Sequence, residues 1–320
     1  MNTRRCANQN CHVDDGETCP LGALTPDACT SWRSGGEEAS PETDSSELYE
    51  ARVPWSGSAL GLSDLMMLLP RSRHLLVGVL GAHDAGKTTM LTANYLLMLQ
   101  GNRLADAIFA GSRTLGAWES LASWMRFHDA ALAPMFPPHT PRGSGRVPGL
   151  LHVALRRKSG EFRDVLLADA PGEWFANWAI TENAVLSEGA QWLVDRSDAF
   201  IVIADCDRLR GKKRGLARAE LLQLIERLGN HAGGRPTILV WTKSEFEVLP
   251  AIRESIQAAL AQNLPGATEH LVSISDPETF SEALGNIVSV AWDSPFSKPI
   301  IEAVQRNDVF FAFRGHHADA

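Results

Sequence analysis

The most specific chemistry in this 320-residue chain is carried by eight consecutive residues, Gly81, Ala82, His83, Asp84, Ala85, Gly86, Lys87 and Thr88. They fit the pattern G-x-x-x-x-G-K-[ST], in which backbone N–H groups close around a phosphate and the lysine reaches the β- and γ-phosphate oxygens. The hydroxyl of Thr88 is suited to bind Mg²⁺, and Thr89 follows it at the start of a predicted helix. Because an apolar run that predicts a strand precedes the pattern, we expect a cradle for a nucleoside triphosphate here.

A second motif, in the stretch DVLLADAPGEW, supplies the other half of such a site. Asp169 ends an apolar run that predicts a strand, where its carboxylate is placed to hold a water on Mg²⁺. Gly172 follows at the spacing that lets its N–H reach a γ-phosphate. Since an acid at a strand end is common, this interpretation depends on the phosphate cradle upstream.

The stretch ILVWTKSE bears on which base the site selects. A carboxylate recognises guanine by accepting hydrogen bonds from its N1–H and N2 amino groups, whereas adenine offers an acceptor at N1. Thr242, Lys243 and Glu245 come close to the Asn/Thr-Lys-x-Asp pattern of GTPases, with the aliphatic stem of Lys243 available to lie on the base. Glu245 is one methylene longer than the usual Asp, so an ATP site and a solvated Lys and Glu pair stay open as alternatives. A further base-contacting loop is expected at Ser273 to Ser275.

Composition limits the classes of protein that the chain can belong to. Apolar residues make up 44% and charged residues 21% of the chain, which is typical of a globular protein. The net charge of −8 argues against general nucleic-acid binding, because phosphate neutralisation needs a surplus of Lys and Arg. No run of about 18 uncharged apolar residues predicts a transmembrane segment, and the start MNTRRCANQN lacks the apolar stretch of a signal peptide. We therefore expect a cytoplasmic protein.

Cysteines cluster in the first 32 residues, at Cys6, Cys11, Cys19 and Cys29. In a reducing compartment four thiolates can close a tetrahedral Zn²⁺ site and so stabilise a short segment. The spacing contains no C-x-x-C pair, so a zinc knuckle over 1–32 and a cysteine-bearing tail both stay open. Residues 33–52 are rich in Ser, Gly and acids and predict a disordered linker.

Apolar runs that predict strands alternate with helical patterns from Leu75 onward. Continuous apolar strands separated by helices indicate a mostly parallel sheet with helices on both faces, because parallel neighbours need crossover connections. The fold class is therefore α/β, with one domain over 53–295, a long loop near 130–149 and a C-terminal extension over 296–320. The predicted strands are HLLVGVLG, LLHVALRR, FRDVLLADAP, DAFIVIADC, PTILVWTK and HLVSIS.

Taken in order, these motifs resemble the translation-factor-related (TRAFAC) class of P-loop GTPases over roughly Pro54 to Val290. More narrowly, the stretches SGSALGLSDL, FAGSRTLGAWES and DAPGEWFANW look like the bacterial double-GTPase proteins of conflict-associated, defence-like gene clusters. The resemblance implies a three-layer, Ras-like P-loop fold and a GTP/GDP switch. It also implies a protein effector or a second GTPase as a partner.

The resemblance also implies roles for residues outside the phosphate cradle. Glu173 stands where small GTPases commonly have the Gln that orients the attacking water, and a carboxylate there is repelled by a γ-phosphate unless its charge is offset. A switch segment should supply a Thr to Mg²⁺, for which Thr140 is the first choice and Thr114 the second. Arg142 or Arg113 could act as an arginine finger.

Three functions stay open from the sequence. The first is a Mg²⁺-dependent GTPase switch, in which Lys87, Glu173 and Thr140 act in catalysis. The second is a scaffold that senses the nucleotide and hydrolyses it poorly. The third is a P-loop protein that uses ATP, which is favoured if Glu245 does not reach the base.

Two further residue types are interpreted more simply. Cys206 lies in an apolar run and is expected to be a small buried residue. Trp174 and Trp178 are four residues apart and predict one helical face, which belongs either to the core or to a surface that senses a partner.

Overall fold

The computed structural model describes residues 74–125, 149–180 and 187–294, together with Thr25 and Leu60. Contacts divide the chain into two units, Met1–Arg52 and Val53–Ala320, and the described helices and strands belong to the second. The four amino-terminal cysteines, the linker, Thr140, Arg142 and the carboxyl-terminal extension lie outside the described residues. The expectations for them stay predictions.

A seven-stranded sheet runs through the described residues in the spatial order β2-β3-β4-β1-β5-β6-β7. Strand β1 is parallel to β4 and β5, and β6 is parallel to β5 and β7, while β2, β3 and β4 pair antiparallel. The mostly parallel α/β sheet predicted from the sequence is thereby confirmed. The strands are β1 His74–Leu80, β2 Ala107–Gly111, β3 Gly149–Arg157, β4 Phe162–Asp169, β5 Ala199–Asp205, β6 Thr237–Thr242 and β7 Thr268–Leu271.

Helices cover both faces of this sheet. The helices are α1 Lys87–Leu99, α2 Leu115–Met125, α3 Gly172–Ile180, α4 Glu188–Arg196, α5 Cys206–Arg210, α6 Arg214–Ala232, α7 Pro250–Asn263 and α8 Glu278–Asp293. Apolar residues of α1, α2 and α8 form one core layer, and those of α3 to α7 form the other. Within the part of the chain described, no helix has both the length and the apolar character needed to cross a membrane.

Strand β1 shows why the central strands are continuous apolar runs. Leu75, Val77 and Val79 point into the layer formed with α1 and α8, while Leu76 and Leu80 point into the opposite layer. Successive side chains of a strand alternate between faces, so a strand buried on both faces needs apolar residues throughout. Strands β1, β4, β5 and β6 are parallel, so their carboxyl ends lie at one edge of the sheet. The predicted motifs follow β1, β4 and β6 at that edge.

The unit formed by β2 and α2 was not predicted from the sequence. Strand β2 is a five-residue edge strand whose register with β3 shifts between Phe109 and Gly111, and Ile108 is 39% exposed. A short, bulged and half-exposed strand leaves little apolar periodicity to detect.

His152 of β3 anchors the chain between β2 and α2. Its backbone carbonyl accepts hydrogen bonds from the hydroxyl of Ser112 (2.6 Å) and from Nε1 of Trp118 (2.8 Å). Its Nδ1 accepts the backbone N–H of Arg113 at 2.9 Å, and its Nε2 lies 2.8 Å from Oδ1 of the buried Asp164. These bonds satisfy polar groups that the burial of this segment removes from water.

Candidate functional site

A cavity of about 500 Å³ opens at the carboxyl ends of β1, β4 and β6. Most of its lining comes from three segments: residues 83–89 at the phosphate loop and the start of α1, the loop after β4 and the loop after β6. These are the three motifs that the sequence placed after strand ends, and the structure brings them together. We refer to this cavity as the nucleotide cleft.

The phosphate loop is held open as a cradle by its lysine. Nζ of Lys87 donates to the carbonyl oxygens of Gly81 (3.1 Å) and Ala82 (2.8 Å). Gly86 precedes α1 with φ of 87°, and no side chain caps the helix there. Gly86 therefore offers the first N–H groups of α1 no side-chain acceptor, an arrangement that suits an anionic ligand.

Burial changes the protonation of this lysine. Lys87 is 7% exposed, and desolvation lowers its pKa from 10.5 to about 8, against the opposing charges of Asp169, Glu173 and Asp84. Desolvation disfavours the charged form of an amine, so the cation lacks sufficient counter-charge within the protein. A polyphosphate beside Nζ would supply that charge.

Gly172 brings the loop after β4 into direct contact with the phosphate loop. A Cβ on Gly172 would lie 2.2 Å from the backbone N of His83 and 2.4 Å from the carbonyl carbon of Ala82. No other residue type fits such an approach without displacing backbone. Glu173 follows in the first turn of α3, with Oε1 4.0 Å from Nε2 of His83.

Two of the residues expected to hold Mg²⁺ are neighbours. The Thr88 hydroxyl donates to the Asp169 carboxylate at 3.0 Å from Oδ2 and 3.2 Å from Oδ1. A hydroxyl and a carboxylate beside a phosphate cradle are the oxygen donors that fit Mg²⁺, which usually keeps waters and shares its shell with substrate phosphates. In the described ranges no group of three or more His, Cys, Asp or Glu side chains could hold a metal. A Mg²⁺ ion that shares its shell with phosphates does not need such a group, because one or two protein ligands are enough.

The loop after β6 is tied to the phosphate loop from the opposite side. The Thr242 hydroxyl donates to the carbonyl oxygen of Ala85 at 2.8 Å. Nζ of Lys243 donates to the carbonyl oxygen of Asp84 at 3.1 Å, and Lys243 itself has φ of 54°. These bonds fix the distance between the phosphate end of the cleft and the end where a base would bind.

Glu245 is held in place at the base end of the cleft. The Ser273 hydroxyl donates to Oε2 of Glu245 at 2.6 Å, and the backbone N–H of Ser275 donates back to Ser273 at 3.1 Å. The predicted loop at Ser273 to Ser275 thus orients the carboxylate. Phe246 and Ile274 also line the cleft and give it apolar surface suited to the faces of a base.

The sequence analysis missed Asp205, which is not among the lining residues but binds Lys243, which is. Its Oδ2 accepts Nζ of Lys243 at 2.7 Å, while its Oδ1 accepts the backbone N–H groups of Asp207 (3.0 Å) and Arg208 (3.3 Å) at the start of α5. The signal in the sequence was an acid at the end of a wholly buried strand, followed by a helix start. Cys206, the next residue, is buried as predicted but begins α5 and does not lie in the strand.

The second-choice switch residue has a structural role. Thr114 is fully buried, its hydroxyl accepts the backbone N–H of His152 at 2.9 Å, and its carbonyl accepts the N–H of Trp118 in α2. Neither Thr114 nor Arg113 is among the residues that line the nucleotide cleft. The segment that contains Thr140 and Arg142 lies outside the described residues, so the assignments of those two residues stay predictions.

Comparisons with solved structures give distant similarities. Translation elongation factor SelB from Methanococcus maripaludis, in complex with the GTP analogue GppNHp, is 15% identical with a TM-score of 0.36, over 70% of this chain and 35% of that one. Roco2 RocCORdC from Methanosarcina barkeri, bound to GDP, is 15% identical with a TM-score of 0.35, over 68% and 49%. A bacterial selenocysteine-specific elongation factor, EF-Sec, is 13% identical with a TM-score of 0.35, over 69% and 29%. This chain therefore spans less than half of each of these proteins.

A family model gives the decisive comparison. No curated protein matches the chain. The model described as Double-GTPase 2 matches residues 75–289, which is about two-thirds of the chain and includes all three motifs of the nucleotide cleft. The chain belongs to the Double-GTPase 2 family.

Proposed function

We propose that this protein is a Mg²⁺-dependent GTPase that works as a nucleotide-controlled switch. The observation that carries the proposal is that one cleft contains three kinds of binding group, for phosphate, for Mg²⁺ and for a base. Lys87 lies in a phosphate cradle, Thr88 and Asp169 form a pair of oxygen donors beside it, and Glu245 presents a carboxylate at the far end. Membership of a GTPase family supports the same function.

Guanine is the base that this cleft favours. The Glu245 carboxylate accepts from Ser273, which leaves its other oxygen available for the N1–H and N2 amino donors of guanine. Adenine carries an acceptor at N1, so a carboxylate in that place would face a lone pair. The extra methylene of Glu245 is accommodated because Ser273 holds the end of the side chain.

Hydrolysis would proceed by in-line attack of water on the γ-phosphorus, with cleavage of the bond to the β–γ bridging oxygen and release of GDP. Lys87 would bind the β- and γ-phosphate oxygens, and the N–H of Gly172 would donate to the γ-phosphate. Thr88 and Asp169, together with Thr140 in our proposal, would hold Mg²⁺, which when bound neutralises charge on those oxygens.

A switch requires an element that responds to the γ-phosphate. Gly172 touches the phosphate loop and begins α3, so the presence or loss of the γ-phosphate would act directly on that helix. Following the resemblance of the sequence, we propose that α3 reports this state to an effector or a second GTPase, in a bacterial conflict or defence system.

A hydrolysis-poor nucleotide sensor is the second candidate function. The observation that favours it is the carboxylate of Glu173 in the first turn of α3, at the phosphate end of the cleft. A carboxylate there repels the γ-phosphate and slows turnover unless the neighbouring groups make use of it.

Competition between nucleotides tests the proposed function. GTP and ATP would each be titrated with Mg²⁺ against a bound fluorescent GDP analogue, on wild type and on Glu245→Gln. GTP should displace the probe at a concentration about 100-fold lower than ATP, because a site built on hydrogen bonds rejects an analogue that cannot make them. The matched variant should lose most of that preference. Equal potency of ATP and GTP on wild type would contradict guanine selection.

A further inference from the structure

The side chain of His83 lies at the phosphate end of the nucleotide cleft. Its backbone N lies against Gly172, so its imidazole stands where the phosphate loop meets the loop after β4. The side chain is 45% exposed and lines the nucleotide cleft. This is the end of the cleft at which a γ-phosphate would bind.

The two ring nitrogens of His83 lie near different carboxylates. Nδ1 lies 3.0 Å from Oδ2 of Asp84. Nε2, on the other side of the ring, lies toward Glu173.

The distance between His83 and Glu173 fits a shared water molecule. Nε2 lies 4.0 Å from Oε1 of Glu173, which is too far for a direct hydrogen bond. A water that is hydrogen-bonded to both atoms, through two bonds of about 2.8 Å each, holds those atoms roughly 4 to 4.5 Å apart. A direct ion pair between these side chains, which are 45% and 37% exposed, would contribute little to the stability of the fold.

We propose that His83 is a catalytic residue, whose Nε2 binds the attacking water together with the carboxylate of Glu173. The two bonds fix the position of the water oxygen, and a lone pair of that oxygen attacks the γ-phosphorus. The water oxygen bonds to that phosphorus, and the bond to the β–γ bridging oxygen breaks with its electron pair leaving on GDP. One proton of the water passes to Glu173 and from there to solvent. This inference rests on the proposed GTPase function.

The fold supports a carboxylate in this role. Glu173 lies in the first turn of α3, where the positive end of the helix dipole stabilises negative charge. Lys87 lies close enough to Glu173 for the two charges to interact. The helix dipole and Lys87 therefore both offset the repulsion between the Glu173 carboxylate and a γ-phosphate. Together with His83, this carboxylate can bind the attacking water.

Single-turnover hydrolysis of GTP with Mg²⁺ tests the proposal on wild type, His83→Ala, Glu173→Gln and the double variant. His270→Ala, which changes a histidine on β7 outside the cleft, is the matched control. Binding of a non-hydrolysable GTP analogue is measured on each protein, and circular dichroism verifies the fold. His83→Gln is a second variant that keeps a side chain of similar reach.

We expect His83→Ala to slow hydrolysis about 100-fold, while the Kd for the GTP analogue stays within about threefold of wild type. The double variant should be no slower than the slower single variant, because the two residues hold one water. Any of three results would overturn the proposal. They are a wild-type rate of hydrolysis in His83→Ala, additive losses of rate in the double variant, and tight binding without hydrolysis in wild type. Failure of wild type to bind the analogue would instead overturn the proposed function.

Discussion

At the scale of single residues, Lys87 links nucleotide binding to pH. Burial lowers its pKa to about 8 in the nucleotide-free protein, whereas the amine of the unfolded chain titrates near 10.5. Between these values the native state binds fewer protons than the unfolded state, so this lysine makes the nucleotide-free protein more stable as pH rises from about 8 to 10.5. Below pH 8 the buried cation opposes folding by its full amount.

Nucleotide binding should show the opposite pH dependence. A polyphosphate favours the charged amine, so we expect GTP binding to take up protons near pH 8 and to weaken as pH rises above 8. Calorimetry in buffers of different ionisation enthalpy measures this uptake. The same heats in every buffer at pH 8 would show that Lys87 is already fully charged.

Asp205 gives a second prediction at this scale. Asp205→Asn removes the charge that holds Lys243 but keeps a side chain that can cap α5, so GTP affinity should fall about 3- to 10-fold with little loss of stability. Asp205→Ala should lose the same affinity and in addition about 1 kcal/mol of unfolding free energy. Nucleotide titration and urea unfolding of both variants separate the two roles, and an unchanged affinity in both would exclude Asp205 from the site.

The candidate site was predicted from the sequence where its residues follow one another in a motif. The phosphate loop, Asp169 with Gly172, and Thr242 to Glu245 each follow a strand, and parallel strands deliver them to one edge of the sheet. Asp205 contacts Lys243 across 38 positions, and Phe280 of α8 reaches the cleft from the far end of the chain. Contacts of this kind depend on tertiary packing and leave no local pattern.

At the scale of elements, the junction between β4 and α3 leaves no room for a side chain at Gly172. Gly172→Ala would place a methyl group 2.2 Å from the backbone N of His83, so the loop after β4 must move away from the phosphate loop. The N–H of Gly172, which we propose donates to the γ-phosphate, would move with it. We expect the ratio of GTP to GDP affinity to fall at least about 10-fold, because only GTP makes that bond.

Equilibrium titration with both nucleotides measures this ratio for Gly172→Ala. Gly215→Ala, at a helical position with no atom near the added methyl, is the matched control. If Gly172→Ala kept the wild-type ratio, α3 would not be the element that senses the γ-phosphate.

The elements also show what the sequence could predict. All six predicted strands overlap an observed strand, and five of them are continuous apolar runs because they are buried on both faces. HLVSIS was placed too late, since β7 is Thr268–Leu271, an edge strand with three exposed residues and therefore a weak apolar signal. Strand β2 was missed for the same physical reason.

At the scale of the whole molecule, two apolar layers separated by the sheet hold the cleft in shape. Trp178 of α3 is fully buried in one layer, where its Nε1 donates to Gln191 of α4 at 2.7 Å. Trp174 is half-buried against the same layer. The sequence left open whether this pair belongs to the core or to a surface that senses a partner. Trp178 belongs to the core.

Removing this core side chain should destabilise the protein without touching the cleft. We expect Trp178→Ala to cost about 3 to 5 kcal/mol of unfolding free energy, from lost transfer energy and the cavity left behind. Ile180→Ala, at a side chain that is 69% exposed, should stay within about 0.5 kcal/mol. Urea unfolding compares the two, and equal small losses would mean that α3 does not pack as described.

The central claim is that a phosphate loop and a distant carboxylate together bind GTP. Isothermal titration of GTP into the full chain with Mg²⁺ tests it most directly, with Lys87→Ala as the comparison and circular dichroism to verify the fold of both. We expect one saturable site on wild type and an affinity at least about 100-fold weaker in Lys87→Ala, because charge-assisted bonds to phosphate are lost. No binding heat from well-folded wild type, or equal affinity in Lys87→Ala, would contradict it.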